Sequence, residues 1–276
     1  VGFDVESFCG YDTTGTTGSG SVNGGIVYYT ASPHDPIRRY LYSSVIDVSA
    51  GGVISVQDPY MVTPDSAAHV GTNGYSLSAD ATYAVHSYSS SQHPTATCIV
   101  SLPDHKVVTV LATNARLLNM FHCVNSPPIE FFRAPIDPSL SLSPDPSPCP
   151  GGADSDSDST PLELDPSPGG ADSDSTPLEL ELDCYCIYPP GFDASQSRSQ
   201  SYPVIFHVYG EPAAQTVRGQ WGGKLTLWHR MLAQRGAVVI CIDNRGCPSP
   251  RGREWRKCIY GKIGLVASSD QAKGGR

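Results

Sequence analysis

The chain reads Tyr-Pro-Val-Ile-Phe-His-Val-Tyr-Gly-Glu-Pro over residues 202–212 and Ala-Val-Val-Ile-Cys-Ile-Asp-Asn-Arg-Gly over residues 237–246. Each stretch holds a short apolar run rich in β-branched and aromatic residues, which predicts a strand. The passage between the two runs carries large apolar residues at helical spacing: Leu225, Leu227, Trp228, Met231 and Leu232. Strand, helix and strand form a βαβ unit, which predicts a parallel sheet covered by helices.

The two predicted strands end in polar or turn-forming residues. The first run, Val204–Tyr209, closes on Gly210 and Pro212, and the second, Ala237–Ile242, closes on Asp243–Gly246. Reactive groups in parallel sheets lie beyond the carboxyl ends of the strands. We therefore expect the end of the first run and the start of Asp243–Gly246 to meet at one edge of the sheet.

Negative charge is concentrated in one segment of the chain. The 276 residues, which have room for one large or two ordinary domains, include 27 acids and 18 bases and carry a net charge of −9. Twelve of the acids lie in Asp137–Asp183, which has no Lys or Arg, so the remainder carries 15 acids and 18 bases. The net charge of the chain therefore comes from this one segment and does not indicate an acidic binding face. The sequence does not predict a nucleic-acid-binding surface either.

The same segment contains a tandem duplication. Residues 145–164 begin Asp-Pro-Ser-Pro and end Thr-Pro-Leu-Glu-Leu, and residues 165–180 repeat them with a shorter Asp-Ser run. A segment this polar can bury too little apolar surface to offset the conformational entropy that it would lose on folding. Residues 136–183 are therefore predicted to be a disordered acidic linker. A calcium loop is the alternative, but the EF-hand pattern of Gly and distal Glu is missing.

Residues 1–135 are predicted to be β-structure. Apolar runs recur about every ten residues between Gly, Pro, Asp and Ser, which is typical of the antiparallel sheets of sandwiches and propeller blades. Thr13–Gly25 is predicted to be a loop rich in Gly, Ser and Thr. The predicted strands are Ile26–Thr30, Arg39–Val45, His69–Leu77, Thr82–Ser89, Ala96–Ser101 and Lys106–Leu111.

Histidines and cysteines do not form a metal-binding pattern. No pair of histidines has HxxH, HxH or HExxH spacing, so the histidines of this region are predicted to be surface or half-buried: His34, His69, His86, His93, His105 and His122. The nine cysteines are scattered, and Cys184-Tyr-Cys186 is too tight for a zinc pair. Cys241 is expected in the core. We predict reduced thiols, and no metal or cofactor.

Location and termini follow from simple patterns. No apolar run approaches the roughly 20 residues that cross a membrane, and the first residues lack the pattern of a signal peptide. A cytoplasmic setting is therefore favoured. The chain does not start with Met, so the true start is expected upstream.

The basic run Arg251–Lys257, with Trp255 and Tyr260 nearby, predicts a helix packed on the sheet rather than a nucleic-acid patch.

Several motifs occur together in a fixed order. The stretches at 202–212 and 238–246 are accompanied by Ala-Gln-Thr-Val (214–217), Leu-Trp-His-Arg-Met-Leu-Ala-Gln-Arg-Gly (227–236), Arg-Gly-Arg-Glu-Trp-Arg-Lys-Cys-Ile-Tyr-Gly-Lys-Ile-Gly (251–264) and Asp-Gln (270–271). Upstream, residues 26–42, 75–89 and 127–133 also fit. Together they resemble dipeptidyl peptidase IV-type enzymes of the prolyl oligopeptidase family, over nearly the whole chain apart from 138–183.

The resemblance implies a fold and an activity. The family has a β-propeller over an α/β-hydrolase domain, so residues 1–135 would be the last blades of a propeller and 184–276 the start of the hydrolase domain. Its members are serine peptidases that remove dipeptides from the N-termini of peptide substrates, and a dimer is compatible with the family. Tyr209 falls on the tyrosine whose hydroxyl stabilises the oxyanion. The alternative is a strand-end tyrosine that only packs.

The chain also departs from the family. No Gly-x-Ser-x-Gly elbow for the nucleophile occurs in it, and the triad Asp and His are not in it either. Glu211 replaces the second Gly of the family's turn, at a position expected to need positive φ. We consider two main hypotheses: a peptidase sequence truncated before its nucleophile and inactive as given, or a non-catalytic binding module derived from the family. A third, another hydrolase such as an esterase, lacks the same nucleophile.

Overall fold

The computed structural model describes residues 4–13, 23–49, 51–136, 180–196 and 201–275. These residues form thirteen strands, four α-helices and two short 3₁₀ turns, Ala67–His69 and Ala194–Gln196. The strands make three sheets, numbered here in chain order. The predicted acidic linker falls mostly outside the described residues, as do residues 14–22 of the predicted loop.

The first sheet is antiparallel and has five strands in the order β1-β2-β3-β4, with β5 also paired to β3. Its strands are β1 (Val5–Asp12), β2 (Asn23–Ala31), β3 (Tyr40–Val48), β4 (Ile54–Val56) and β5 (Tyr60–Met61). β2 and β3 confirm two predicted strands. The predicted loop Thr13–Gly25 was wrong at its end, because β2 already begins at Asn23 and pairs there with Val48.

The second sheet is a four-stranded antiparallel meander. Its strands are β6 (Thr72–Leu77), β7 (Tyr83–Ser89), β8 (Ala96–Ser101) and β9 (Lys106–Ala112). All four were predicted, although the first begins later than expected because its predicted start, His69, closes a 3₁₀ turn. Backbone bonds join this sheet to the first: Arg39 N–H donates to the Gly71 carbonyl at 3.1 Å, and Asn73 N–H donates to the Arg39 carbonyl at 3.1 Å.

Helix α1 (Ala115–Cys123) follows the second sheet and was not predicted. It is short, and most of its residues are exposed, including Leu117 and Met120. Its buried contact is Phe121, whose ring meets that of Trp221 edge-on with 4.8 Å between centroids. The helix is therefore held by a contact with a residue a hundred positions away, which spacing along the sequence does not indicate.

The third sheet has the order β10-β11-β13-β12. Its strands are β10 (Glu130–Ile136), β11 (Leu180–Ile187), β12 (Val204–His207) and β13 (Val238–Ile242). β12 and β13 run parallel, and helix α2 (Gly223–Gln234) connects them, which confirms the predicted βαβ unit. The first of its strands ends at His207, two residues before the predicted end.

β10 and β11 flank the acidic segment and pair with each other from Glu130↔Cys186 to Ile136↔Leu180. Residues 130–136 thus lie in the third sheet, although the sequence grouped them with the first 135 residues. The prediction of a linker up to residue 183 was wrong at its end, because residues 180–183 are in β11. The physical reason is that Leu180, Leu182 and Cys184 share one face of the strand and pack in the same apolar cluster.

Two buried clusters lie on opposite faces of the third sheet. One contains Ile37, Tyr185, Ile187, Val217, Ala233, Val239 and Cys241, and the other contains Ile136, Leu182, Cys184, Ile242, Cys247 and Trp255. Cys241 is therefore a core residue, as predicted. Helix α3 (Gly252–Lys257) brings Trp255 into the second cluster, which confirms the packed helix, whereas Tyr260 was misjudged and is 85% exposed. Helix α4 (Leu265–Gly274) ends the described chain.

The prediction that the histidines are surface or half-buried was wrong for two of them. His34, His93 and His122 are exposed, but His86 and His105 are buried. They face other polar side chains inside the second sheet, which the strand pattern alone does not show.

Candidate functional site

The parallel pairing of β12 and β13 defines the candidate site. Val204 lies opposite Val238 and His207 opposite Cys241, so both strands leave the sheet at the same edge. Tyr209 follows β12 by two residues, and Asp243 directly follows β13. The carboxyl ends of the two strands therefore lie at the same edge of the sheet, as the sequence predicted. We call this region, Tyr209–Val217 with Asp243–Gly246, the candidate edge.

Tyr209 lies at the start of the turn and is 43% exposed. The next residue, Gly210, has φ of +77°, a conformation that glycine adopts without a steric penalty. The expectation that Glu211 occupies a strained position was wrong: it is exposed and is not among the non-glycine residues with positive φ. Because the left-handed residue of the turn is Gly210, the glutamate leaves the backbone geometry intact.

Asp243 is the buried anchor of the candidate edge. Its Oδ1 accepts hydrogen bonds from the Thr216 amide at 2.9 Å and the Thr216 hydroxyl at 2.5 Å, and its Oδ2 accepts one from the Val217 amide at 3.0 Å. Burial raises the pKa of Asp243, and the bonds from Thr216 and Val217 oppose that rise. The carboxylate therefore fixes the loop that follows Tyr209 against the end of β13.

The same loop is tied to the first sheet through Gln215. The Gln215 side chain accepts a bond from Arg39 Nη2 at 2.5 Å and donates to the Pro36 carbonyl at 3.0 Å. Arg39 is buried and also pairs with Glu6 of β1. Burial lowers the pKa of Arg39, while the charge of Glu6 raises it. Sequence reasoning treated Arg39 only as the start of a strand and missed this contact.

An ion pair joins the candidate edge to helix α4. Arg245 donates to the fully buried carboxylate of Asp270 through its backbone amide at 2.8 Å and through Nη2 at 2.7 Å. Next to it, Gln271 Nε2 donates to the carbonyl of Ile242, the last residue of β13, at 2.8 Å. Asp270 and Gln271 therefore attach helix α4 to the end of β13 and to Arg245. Asp270 and Gln271 belong to the motifs that carried the resemblance.

The thiol of Cys241, near the end of β13, has its pKa raised to about 11 by burial, so it is a neutral thiol at pH 7. The eight cysteines among the described residues are all unpaired. Across those residues no three His, Cys, Asp or Glu side chains converge to hold a metal ion. None of the helices in the described ranges is long and apolar enough to cross a membrane.

Comparisons with known proteins agree with one another. Prolyl endopeptidase FAP of Mus musculus is 34% identical over 86 residues, which are 31% of this chain and 10% of that protein. A protein named probable dipeptidyl-aminopeptidase B, from Ajellomyces capsulatus (strain H88), is 32% identical over 83 residues, which are 30% of this chain and 8% of that protein. No protein-family model matches the chain. The chain spans about a tenth of the length of these relatives.

A solved structure covers far more of the chain. The crystal structure of Porphyromonas gingivalis dipeptidyl peptidase 4 matches 99% of this chain and 29% of its own, with a TM-score of 0.67 and 25% sequence identity. In sequence and in fold the chain is similar to part of the dipeptidyl peptidase IV-type enzymes of the prolyl oligopeptidase family.

The sheet-rich architecture is similar to that of the solved dipeptidyl peptidase. Among the described residues the first and second sheets are open rather than closed on themselves, which is consistent with part of a propeller. The motifs at 202–217 and 238–246 contain β12, β13 and the candidate edge, the motif at 251–264 contains α3, and residues 270–271 lie in α4.

Proposed function

We propose that this chain is part of a serine peptidase that removes dipeptides from the N-termini of peptides. The observation that carries the proposal is the match over 99% of the chain to a dipeptidyl peptidase structure, with Tyr209 exposed at a turn whose loop is fixed by Asp243. The prolyl and dipeptidyl peptidases among the relatives support peptide substrates.

In this proposal Tyr209 is the oxyanion donor. An oxyanion is best stabilised by a donor whose position is fixed before the reaction. Tyr209 is accessible, Gly210 turns the backbone directly after it, and Asp243 holds the returning loop at Thr216 and Val217. The hydroxyl can therefore face a substrate while the backbone around it is held.

We assign the domains on the same basis. The sequence suggested a C-terminal propeller portion at 1–135, an acidic insert at 136–183 and the first part of an α/β-hydrolase domain at 184–276. Because β10 pairs with β11, we move residues 130–136 and 180–183 into the hydrolase part, which leaves 1–129 for the propeller portion and 137–179 for the acidic insert.

As given, the chain is expected to be inactive, because its 276 residues contain no Gly-x-Ser-x-Gly elbow. Loss of a triad removes nearly all of the chemical rate. The purified chain should not release the chromophore from Gly-Pro or Ala-Pro p-nitroanilide. Turnover that copurifies with the chain through several columns would contradict this statement.

A graft tests the positive part of the proposal. Residues 201–275 replace the matching segment of P. gingivalis dipeptidyl peptidase 4, which supplies the remaining residues of the site, and a shorter graft of residues 202–217 is made in parallel. We expect grafts that fold, as judged by circular dichroism, to hydrolyse Gly-Pro p-nitroanilide. Folded grafts without turnover would show that this segment does not form the site.

The second candidate is a binding module, and the edge of the second sheet favours it. Within the described residues β9 is the last strand of its sheet, and four of its apolar side chains are more than half exposed: Val107, Val108, Val110 and Leu111. Such an edge can add a strand from another chain. Light scattering during size-exclusion chromatography separates the candidates: self-association that Val108→Lys abolishes supports the module, and a monomer at all concentrations argues against it.

A further inference from the structure

Three histidines of the second sheet lie together where it meets the first. His86 is on β7, His69 ends the 3₁₀ turn before β6, and His105 lies in the turn between β8 and β9. Their ring centroids are 4.9 Å apart for His86 and His105, 5.6 Å for His69 and His105, and 5.8 Å for His69 and His86. We call these residues the histidine cluster. It is separate from the candidate edge, and its role does not depend on the proposed function.

Hydrogen bonds fix the proton on His86. The amide nitrogen of Asn73 donates to the carbonyls of Arg39 at 2.8 Å and His69 at 3.0 Å, so its Oδ1 is the acceptor. His86 Nε2 lies 2.8 Å from that oxygen and must donate to it. His86 Nδ1 is then unprotonated and faces the thiol of Cys98 at 3.8 Å. A second proton, on Nδ1, would therefore have only the sulfur of Cys98 as a weak acceptor.

His105 contacts the first sheet by a second route. Its Nε2 lies 2.8 Å from the hydroxyl of Tyr75, which lies 2.8 Å from the hydroxyl of Thr63. The same Thr63 oxygen accepts a bond from the Leu41 amide on β3 at 2.8 Å. The Tyr75 ring also stacks on that of His86, with 4.5 Å between centroids. The cluster thus takes part in two polar connections between the two sheets.

The surroundings of the cluster disfavour a positive charge. The groups that face it are uncharged at neutral pH. His86 and His105 face Asn73 and Tyr75 on β6 and Cys98 on β8, with Thr63 and Cys9 beyond Tyr75. His69 faces the Ser66 hydroxyl, 2.9 Å from its Nδ1, and the ring of Tyr88 on β7. The charged neighbours of His105 in the chain, Asp104 and Lys106, are exposed and pair with each other at 2.8 Å.

The direction of the pKa changes is the same for all three histidines. Burial, followed by the charges of His105 and His69, lowers the pKa of His86 to about 3. Burial also lowers the pKa of His105 and of His69. The cluster is therefore neutral at pH 7 in the folded sheet, whereas an unfolded histidine takes up a proton near pH 6.5.

We propose that the histidine cluster is a proton-sensitive latch, which holds the second sheet to the first at neutral pH and releases it in mildly acidic solution. Above about pH 6.5 both the closed and the open sheet are neutral, so the latch is fully closed. As the pH falls below that value the open sheet binds protons that the closed sheet does not. Each such proton raises the open fraction about tenfold per pH unit.

Hydrogen exchange of the full chain, measured by mass spectrometry, tests the latch. Protection factors, which correct for the intrinsic effect of pH on exchange, are followed between about pH 7.5 and about pH 5. We expect the protection of peptides from β6, β7 and β8 to fall at least tenfold per pH unit below about pH 6.5. A flat profile in these strands would overturn the proposal.

Variants assign the effect to the cluster. His86→Gln keeps a donor for Asn73 but cannot become charged, so the slope for the second sheet should decrease by about a factor of ten per pH unit. If His86→Gln already lowers protection at neutral pH, the second variant is His69→Gln, because His69 is only half-buried and its replacement should disturb the sheet less. If both variants keep the original slope, the latch is refuted.

A buried histidine outside the second sheet provides the matched control. His229 on α2 has its pKa lowered to about 4 by burial and lies 2.8 Å from the Tyr185 hydroxyl. His229→Gln should change the acid response of β11 and β13 and leave that of the second sheet as it was. An equal change in both sheets would show a global acid response and contradict a local latch.

Discussion

At the scale of single residues, the candidate edge depends on polar groups that are buried rather than exposed. Asp243 binds three donors of the loop after Tyr209, and Arg245 binds Asp270 beneath it. Buried carboxylates are tolerated only where donors compensate for lost hydration. Tyr209 itself needs no such support, because it is 43% exposed. The residue proposed to act and the residues that position it are therefore different.

Asp243→Asn tests the positioning role. The amide offers one acceptor oxygen where the carboxylate offered two, and its NH₂ faces a donor. We expect the free energy of unfolding to fall by about 2 kcal/mol, as for other buried bonds to charged groups. The measurement is urea denaturation followed by fluorescence. Asp58→Asn makes the same chemical change at an exposed position and should have an effect within about 0.5 kcal/mol. Equal effects of the two variants would contradict the claim that the Asp243 carboxylate stabilises the loop.

At the scale of elements, α2 joins distant parts of the chain. Its buried Arg230 donates to the carbonyls of Pro127 and Ser91, and its guanidinium lies over the ring of Phe121, 4.9 Å from the centroid. Burial lowers the pKa of Arg230 to about 10, so it stays charged at neutral pH. The helix therefore connects the third sheet to α1 and to the turn after β7.

Arg230→Lys tests this connection. A lysine keeps the charge but cannot present the planar fork that reaches both carbonyls and lies over the ring. We expect stability to fall by about 2 kcal/mol, measured by chemical denaturation at pH 7. Arg235→Lys, directly after the helix and exposed, is the control and should be close to neutral. A loss of the same size in the control would mean that the contacts of Arg230 are not what stabilises the helix.

The elements differ in how far the sequence predicts them. β12, α2 and β13 follow from apolar spacing, and Ala96–Ser101 is a strand with the predicted bounds. α1 was missed because its stability comes from Phe121 meeting Trp221. The contact between Arg39 and Gln215 joins residues 176 positions apart, and no local pattern encodes it. The burial of His86 likewise depends on which strands become neighbours.

At the scale of the whole molecule, the three sheets are connected by a few buried polar side chains. Arg39 contacts Glu6 of β1 and Gln215 of the candidate edge, and its carbonyl accepts bonds from Asn73 of β6. The loop after Tyr209 is thus fixed from two sides, by Asp243 and by the first sheet. In the peptidase that we propose, these contacts would hold the turn at Tyr209 in a fixed position relative to the first sheet.

The most direct test of the proposed site is the turnover number of the active graft with Tyr209→Phe. The change removes one hydroxyl from an exposed ring, so the melting temperature should not move, while the loss of an oxyanion donor should lower kcat about 10²- to 10³-fold with KM much less affected. Tyr260→Phe, the same change at an 85% exposed position, should leave kcat as it was. An unchanged kcat in the folded Tyr209→Phe graft would contradict the central claim that this turn forms part of the active site.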